Sequence, residues 1–179
     1  MIRKVALLVV LAMGLSACAS FEAAQCGGPD DATLGMEVSP PDRIGGLRVV
    51  PEPDAAESLN TASEPKDTYQ CEGAVYALRD GEELRAVFQV SRLAPDARLD
   101  DREFLRNLLG GITGAVPQPV EKEGVDVYQI VSNGQIISTW FHDNFMYFLT
   151  VREDPTIEGQ AVNVDFEQVL NEALDVRPA

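Results

Sequence analysis

The sequence predicts an α+β domain, in which an antiparallel sheet of five to six strands carries two helices packed mainly on one face. Two dipeptides, Asp80-Gly81 and Asn133-Gly134, lie between extended apolar runs and favour the positive φ angles of tight hairpins. Two further segments, after Asp100 and after Asp165, repeat apolar residues at helical spacing. Because short turns rather than long crossovers join the strands, we expect them to pair antiparallel.

The first half of the domain begins with a short strand predicted at 46–50. Residues 51–66 are polar and are predicted to form a loop. The runs 73–78 and 84–93 flank Asp80-Gly81 and form a hairpin.

A helix is predicted to begin at Asp100, whose carboxylate can accept hydrogen bonds from the amide groups of the first turn. The helix is predicted to end at Gly110-Gly111, and the proline-rich segment 114–119 to form a loop. The apolar positions of this helix are Phe104, Leu105, Leu108 and Leu109.

Three strands and a helix complete the predicted domain. The runs 125–131, 136–141 and 145–151 are separated by short turns and should form a meander. Asp165 can cap the final helix. Apolar residues occur on both sides of 145–151, so we expect the second face of the sheet to be covered or to bind something.

This order of elements, over about residues 44–176, resembles the Mog1/PsbP-like domains found in some bacterial lipoproteins, which consist of an antiparallel sheet flanked by helices. The resemblance rests on element order and no diagnostic motif accompanies it. It therefore implies a fold and transfers no functional residue.

The N-terminus has the pattern of an export signal. Arg3 and Lys4 precede an apolar and small-residue stretch, 5–17, which is too short for the roughly 20 residues that a membrane span needs. Its end, Leu15-Ser16-Ala17-Cys18, resembles the lipobox of bacterial lipoproteins. That resemblance implies cleavage before Cys18 and diacylglycerol attached to the Cys18 sulfur. A secretory signal followed by a chance cysteine is the alternative.

The chain accordingly divides into a signal peptide (1–17), a lipid-anchored tether rich in Gly, Pro, Asp and Ser (18–41), and one domain (42–179). Stable anchoring by acyl chains predicts a protein held on the extracytoplasmic face of a bacterial membrane, with membrane lipid as its first partner. No later apolar run is long enough to span the bilayer.

Charge and cysteine content narrow the function further. Loss of Arg3 and Lys4 with the signal changes the formal net charge from −15 to −17, which argues against a nucleic-acid partner. With Cys18 carrying lipid, Cys26 and Cys71 are predicted to form a disulfide in an oxidising compartment. A metal pair is the alternative, but the single histidine leaves the usual Cys/His ligand sets incomplete.

No catalytic residue, metal site or cofactor is predicted. His142 and Asp143 adjoin at a predicted turn, where a turn role is favoured over acid–base chemistry. No serine lies in a nucleophile elbow, and no acidic cluster follows the calcium-loop pattern. We expect a protein that is not an enzyme.

The densest hydrophobic feature supplies the candidate ligand or partner face: Trp140, Phe141, Tyr147 and Phe148. The leading hypothesis is a membrane-anchored binding module of the cell envelope that meets an envelope protein or a small apolar ligand. The alternatives are a structural envelope spacer and, least favoured, a carboxylate-dependent hydrolase around Asp143.

Overall fold

The computed structural model describes residue 26 and residues 38–62, 69–114, 117–132, 134–152 and 165–177. Within this part of the chain, eight strands and three helices follow one another in the order β1 (Arg43–Ile44), β2 (Leu47–Pro51), α1 (Pro53–Ala62), β3 (Gln70–Asp80), β4 (Glu83–Leu93), α2 (Arg102–Thr113), β5 (Gln118–Lys122), β6 (Val125–Ser132), β7 (Gln135–His142), β8 (Phe145–Arg152) and α3 (Phe166–Leu174).

All eight strands belong to one antiparallel sheet, in the order β1-β2-β3-β4-β8-β7-β6-β5. The sheet consists of two four-stranded meanders, β1 to β4 and β5 to β8, with α2 between them in the chain. The meanders join where β4 pairs with β8, with Val90 opposite Tyr147. The α+β class and the antiparallel pairing are therefore confirmed.

The number of elements is larger than predicted, because the sequence prediction missed β1, β5 and α1. β1 has only two residues, and β5 contains Pro119, which is tolerated because β5 is an edge strand. α1 lies in the segment predicted as a polar loop. It starts at Pro53, which suits the first helical turn because proline has no amide hydrogen to leave unpaired.

The helix α2 is shifted from its predicted ends. Asp101 rather than Asp100 is the N-cap, and its carboxylate accepts hydrogen bonds from the amides of Glu103 and Phe104 at 2.9 and 3.1 Å. The helix continues through Gly110 and Gly111 to Thr113, and its C-cap is Gly114, whose φ of 71° is left-handed. The predicted cap of the last helix, Asp165, is confirmed by its bond from the Gln168 amide.

Side chains alternate between two faces of the sheet, and each face has its own buried cluster. We name the faces by the helices that pack on them. On the α3 face, Val169, Leu170, Ala173 and Leu174 of α3 pack against the sheet. The buried sheet residues of that cluster are Ile44, Leu47, Tyr76, Leu78, Ala86, Phe88, Val90, Val127, Trp140, Tyr147, Leu149 and Val151.

The sheet curls around α3. At one end of this helix Glu167 pairs with Lys122 of the edge strand β5, at 2.7 Å, and five residues later Glu172 accepts a hydrogen bond from the Gly45 amide beside β1, at 2.6 Å. A flat sheet of eight strands would hold its edges about 34 Å apart, whereas a nine-residue helix is about 13 Å long. The α3 face is therefore concave and the opposite face convex.

The convex face, here called the α2 face, carries the other two helices, so the prediction of helices mainly on one face is wrong. Phe104, Leu105, Leu108 and Leu109 of α2 form a second cluster with residues of the loops and central strands, among them Leu93, Tyr128 and Met146. Because the strands are apolar on both sides, each face requires a helix.

α1 protects a free edge of the sheet. β2 is shorter than β3, so Gly73 lies beyond the last pair that joins these strands, Pro51 with Tyr76. The Asn60 side chain takes the place of a strand, since its Oδ1 accepts from the Gly73 amide at 2.7 Å and its Nδ2 donates to the Gly73 carbonyl at 3.2 Å.

Candidate functional site

The four predicted site residues divide between the two faces of the sheet. Trp140 and Tyr147 are directly opposite each other on β7 and β8 and point to the α3 face. Phe141 and Phe148 follow them in sequence and point to the α2 face. A single surface made of all four side chains therefore does not form.

Trp140 and Tyr147 are part of the concave core, with 1% and 0% of their surfaces exposed. Their rings are stacked with centroids 5.4 Å apart, and Phe88 stacks near both at 6.1 and 6.3 Å. Within the described residues, neither the Trp140 indole nitrogen nor the Tyr147 hydroxyl has a hydrogen-bond partner. Their aromatic surface serves packing rather than recognition.

The surroundings of Tyr147 also make its hydroxyl a weaker acid than an ordinary tyrosine hydroxyl. Burial raises the pKa of Tyr147 to about 12, while smaller electrostatic effects come from Arg177, which lowers it, and Asp143, which raises it. This hydroxyl is therefore protonated and neutral near pH 7, where it does not release its proton.

Phe141 and Phe148 are half-buried at the margin of the α2 cluster. Phe141 contacts Tyr128 edge-to-face, with ring centroids 6.2 Å apart. Phe148 lies opposite Gln89 on one side and Thr139 on the other. Of the predicted face, these two phenylalanines are the members that solvent or a partner can reach.

The α2 face continues beyond Phe148 as a row of half-buried side chains, which we call the open row. It crosses four neighbouring strands, through the register pairs of Val87 with Thr150, Thr150 with Ile137, and Ile137 with Ile130. The four side chains of the row, Val87, Thr150, Ile137 and Ile130, are intermediate in exposure. None of them belongs to either of the two buried clusters among the described residues.

Curvature explains why the row is open. A twelve-residue helix such as α2 is about 18 Å long and packs over one end of a convex face that spans eight strands. The concave face needs less cover, because the sheet itself curls around α3. The open row was not predicted from the sequence because its aliphatic residues lie on three separate strands and resemble ordinary strand residues. The alternation of side chains along each strand was the available signal.

The His142–Asp143 pair is present but open to solvent. The His142 Nε2 and an Asp143 carboxylate oxygen are 3.3 Å apart, and the two side chains are 44% and 78% exposed. Asp143 has a φ of 50°, as in a tight turn, and follows the last residue of β7. This geometry agrees with a turn role.

No group of three or more His, Cys, Asp or Glu residues suited to hold a metal ion occurs among the residues that the structure describes. In the same ranges, no helix has the length and hydrophobicity needed to span a membrane. The predicted signal peptide and Cys18 lie outside the described residues.

The predicted disulfide is confirmed: Cys26 is bonded to Cys71, across 45 positions of sequence. Cys71 is the second residue of β3 and packs against the α2-face cluster. Val38, which the sequence assigned to the tether, is buried in the α3-face cluster, and its carbonyl accepts the Tyr76 hydroxyl at 2.9 Å.

Comparisons with protein-family models, with curated proteins and with solved structures find no match to this chain. The resemblances to lipoprotein signals and to Mog1/PsbP-like domains therefore remain predictions from the sequence.

Proposed function

We propose that this chain is a lipid-anchored extracytoplasmic lipoprotein whose single domain is a protein-interaction module of the cell envelope. Its partner contacts the open row and the neighbouring Phe148. The observation that carries the proposal is a continuous line of half-buried side chains on the convex face, across strands β4, β8, β7 and β6, in which Thr150 on β8 interrupts three aliphatic residues.

The anchor rests on Leu15-Ser16-Ala17-Cys18 at the end of a short apolar segment. The Cys26–Cys71 bridge is compatible with an oxidising compartment outside the cytoplasm. Two acyl chains supply stable membrane attachment, which a single chain does not. The domain itself then faces the envelope space.

The shape of the face favours a protein over a small molecule. Small-molecule sites are usually concave and enclose most of the ligand, whereas the open row lies on the outside of a curved sheet. A partly exposed phenylalanine beside aliphatic residues suits the centre of a protein interface, where aromatic anchors contribute much of the binding energy. We therefore favour a protein partner, with a small apolar ligand as the outcome to be distinguished.

Mass spectrometry of the protein gently extracted from its native membrane tests both halves of the proposal. Under denaturing conditions, we expect the mass of a chain cleaved before Cys18 and carrying acyl groups. Under native conditions, we expect an additional polypeptide. An additional small molecule would instead identify a ligand-binding domain.

A matched pair of variants connects the bound partner to the open row. Ile137→Ser removes apolar surface from the row, while Val131→Ser changes a 68% exposed valine on the neighbouring strand β6, on the opposite face. We expect the partner to be lost with Ile137→Ser and retained with Val131→Ser. If both variants retain the partner, the open row is not the contact surface. If the unmodified protein is extracted as an acylated monomer with nothing bound, the proposal of an interaction module is contradicted.

A further inference from the structure

The Cys26–Cys71 bridge attaches the N-terminal segment to the domain much earlier in the chain than the core does. Cys26 is eight positions after Cys18, whereas Val38, the next described residue, is twenty positions after it. Cys71 packs on the α2-face cluster and Val38 in the α3-face cluster. The segment is therefore fixed to the domain at two points on opposite faces of the sheet.

These two attachment points imply very different reaches. Eight residues span at most about 26–29 Å when fully extended, and twenty residues span about 66–72 Å. A compact body of about 140 residues has a radius of gyration of about 14 Å, which corresponds to a sphere about 37 Å across. The bridged segment is thus shorter than the domain is wide, and the unbridged segment is longer.

We infer that the disulfide is an orientation clamp that holds one end of the sheet towards the membrane. This inference rests on the lipid attachment at Cys18 in the proposed function. With the bridge formed, the Cys71 end of the domain cannot face away from the bilayer, because the segment would be too short to reach across the domain. With the bridge reduced, every orientation is within reach.

The register of the strands shows which end of the sheet lies near Cys71 and would therefore face the membrane. Cys71 lies beside Gln70, which is opposite Leu93 at the end of β4, and the Leu93 amide donates to the Asn144 carbonyl in the β7–β8 turn at 2.7 Å. The β3–β4 turn at Gly81 is at the other end.

The open row lies towards that far end. It begins opposite Ala77, six positions along β3 from Cys71, which corresponds to about 20 Å at the rise of a β-strand. The clamp therefore directs the open row away from the lipid surface, where a partner in the envelope space can reach it.

The test measures resonance energy transfer from the single tryptophan, Trp140, to a dansyl-labelled lipid in phosphatidylethanolamine vesicles that carry the full-length acylated protein. One variant receives an eight-residue Gly-Ser insertion after Ser20, upstream of the bridge. A matched variant receives the same insertion after Asp31, between Cys26 and Val38. Both insertions lie outside the described residues and leave the bridge intact.

We expect the insertion after Ser20 to lower the transfer efficiency and the insertion after Asp31 to leave it unchanged, because the bridge bypasses the second site. In the double variant Cys26→Ser, Cys71→Ser, both insertions should lower transfer. Equal transfer in the two bridged variants, whether lowered or unchanged, would overturn the clamp.

Near-ultraviolet circular dichroism is the control that each variant retains its packed core. If the double cysteine variant does not fold, the comparison of the two insertion variants with an intact bridge still decides whether the clamp exists. A denaturing mass without acyl groups would overturn the lipoprotein proposal and the clamp together. An acylated protein with equal transfer in the bridged pair would overturn the clamp alone.

Discussion

The α3 face and the α2 face are made by the same strands, yet they differ in how completely they are covered. On the concave side, a nine-residue helix suffices because the sheet curls towards it, and both edge strands contact that helix. On the convex side, a longer helix covers one end and α1 protects the β3 edge, while the open row is left half exposed. Because of this curvature, the concave α3 face contributes most of the fully buried core, and the convex α2 face retains accessible surface.

The largest expected difference between the faces comes from truncating aromatic residues of the predicted site. Trp140→Ala should lower the free energy of unfolding by about 3–5 kcal/mol, because the ring is fully buried. Phe148→Ala should cost about 1–2 kcal/mol, because solvent already reaches part of that ring. Urea denaturation of the two variants measures both values, and equal losses would contradict the difference in cover.

A second difference appears at alkaline pH. The pKa of Tyr147 is raised to about 12 in the folded protein, against about 10 in the unfolded chain. Its contribution to stability is therefore complete below pH 10 and is lost as the pH rises towards 12, a loss on the order of 2–3 kcal/mol.

Tyr147→Phe should remove this part of the alkaline destabilisation. At pH 7 the variant should be as stable as the unmodified protein or slightly more stable, because the hydroxyl is buried without a hydrogen-bond partner among the described residues. Unfolding curves recorded from pH 7 to pH 11.5 decide the point. Parallel pH dependence in the two proteins would show that Tyr147 is not the group responsible.

Two glycines test how rigid each face is. Gly45 has a φ of 56°, and an added Cβ would meet the Val169 side chain and lie 2.8 Å from the Val169 Cα, so Gly45→Ala should cost about 2–3 kcal/mol. At Gly73, under α1, the added Cβ would lie 2.6 Å from a terminal methyl of Leu59, which can rotate. Gly73→Ala should cost about 1 kcal/mol.

Thermal unfolding of the two alanine variants, at the same ionic strength, measures this comparison. A cost for Gly73→Ala equal to or above that for Gly45→Ala would mean that α1 is held as rigidly as α3. The α2 face would then be less adaptable than the structure indicates.

The local patterns of the sequence predicted the central part of this fold. The Asp80-Gly81 hairpin, the strands after residue 125 and the Asp165 cap are confirmed, since each depends on neighbouring residues only. β5 and α1 were missed because Pro119 and the polar composition of 53–62 suggest loops, and it is the edge position of β5 and the contact of Asn60 with Gly73 that stabilise them.

The candidate site was predicted less well, for a reason that lies in sheet geometry. Consecutive strand residues point to opposite faces, so a dense aromatic run such as Trp140-Phe141 necessarily divides between them. Which face is covered depends on the curl of the whole sheet, which brings together residues as distant in sequence as Lys122 and Glu167 and cannot be inferred from neighbouring residues. The disulfide was predictable because the predicted lipid attachment at Cys18 leaves Cys26 and Cys71 as the cysteines to pair.

The smallest expected effect is the most direct test of the open row. Val151 and Val87 lie on the neighbouring strands β8 and β4, Val151 buried on the α3 face and Val87 half exposed on the α2 face. Threonine has nearly the same shape as valine, so Val→Thr changes the polarity of each site without leaving a cavity.

Val151→Thr should lower the free energy of unfolding by about 1–3 kcal/mol because its hydroxyl is buried. Val87→Thr should change that free energy by no more than about 0.5 kcal/mol because water can solvate its hydroxyl. A cost above 1 kcal/mol for Val87→Thr, measured by urea denaturation, would mean that the row is already covered within the folded chain, and a partner would then have no open surface to bind.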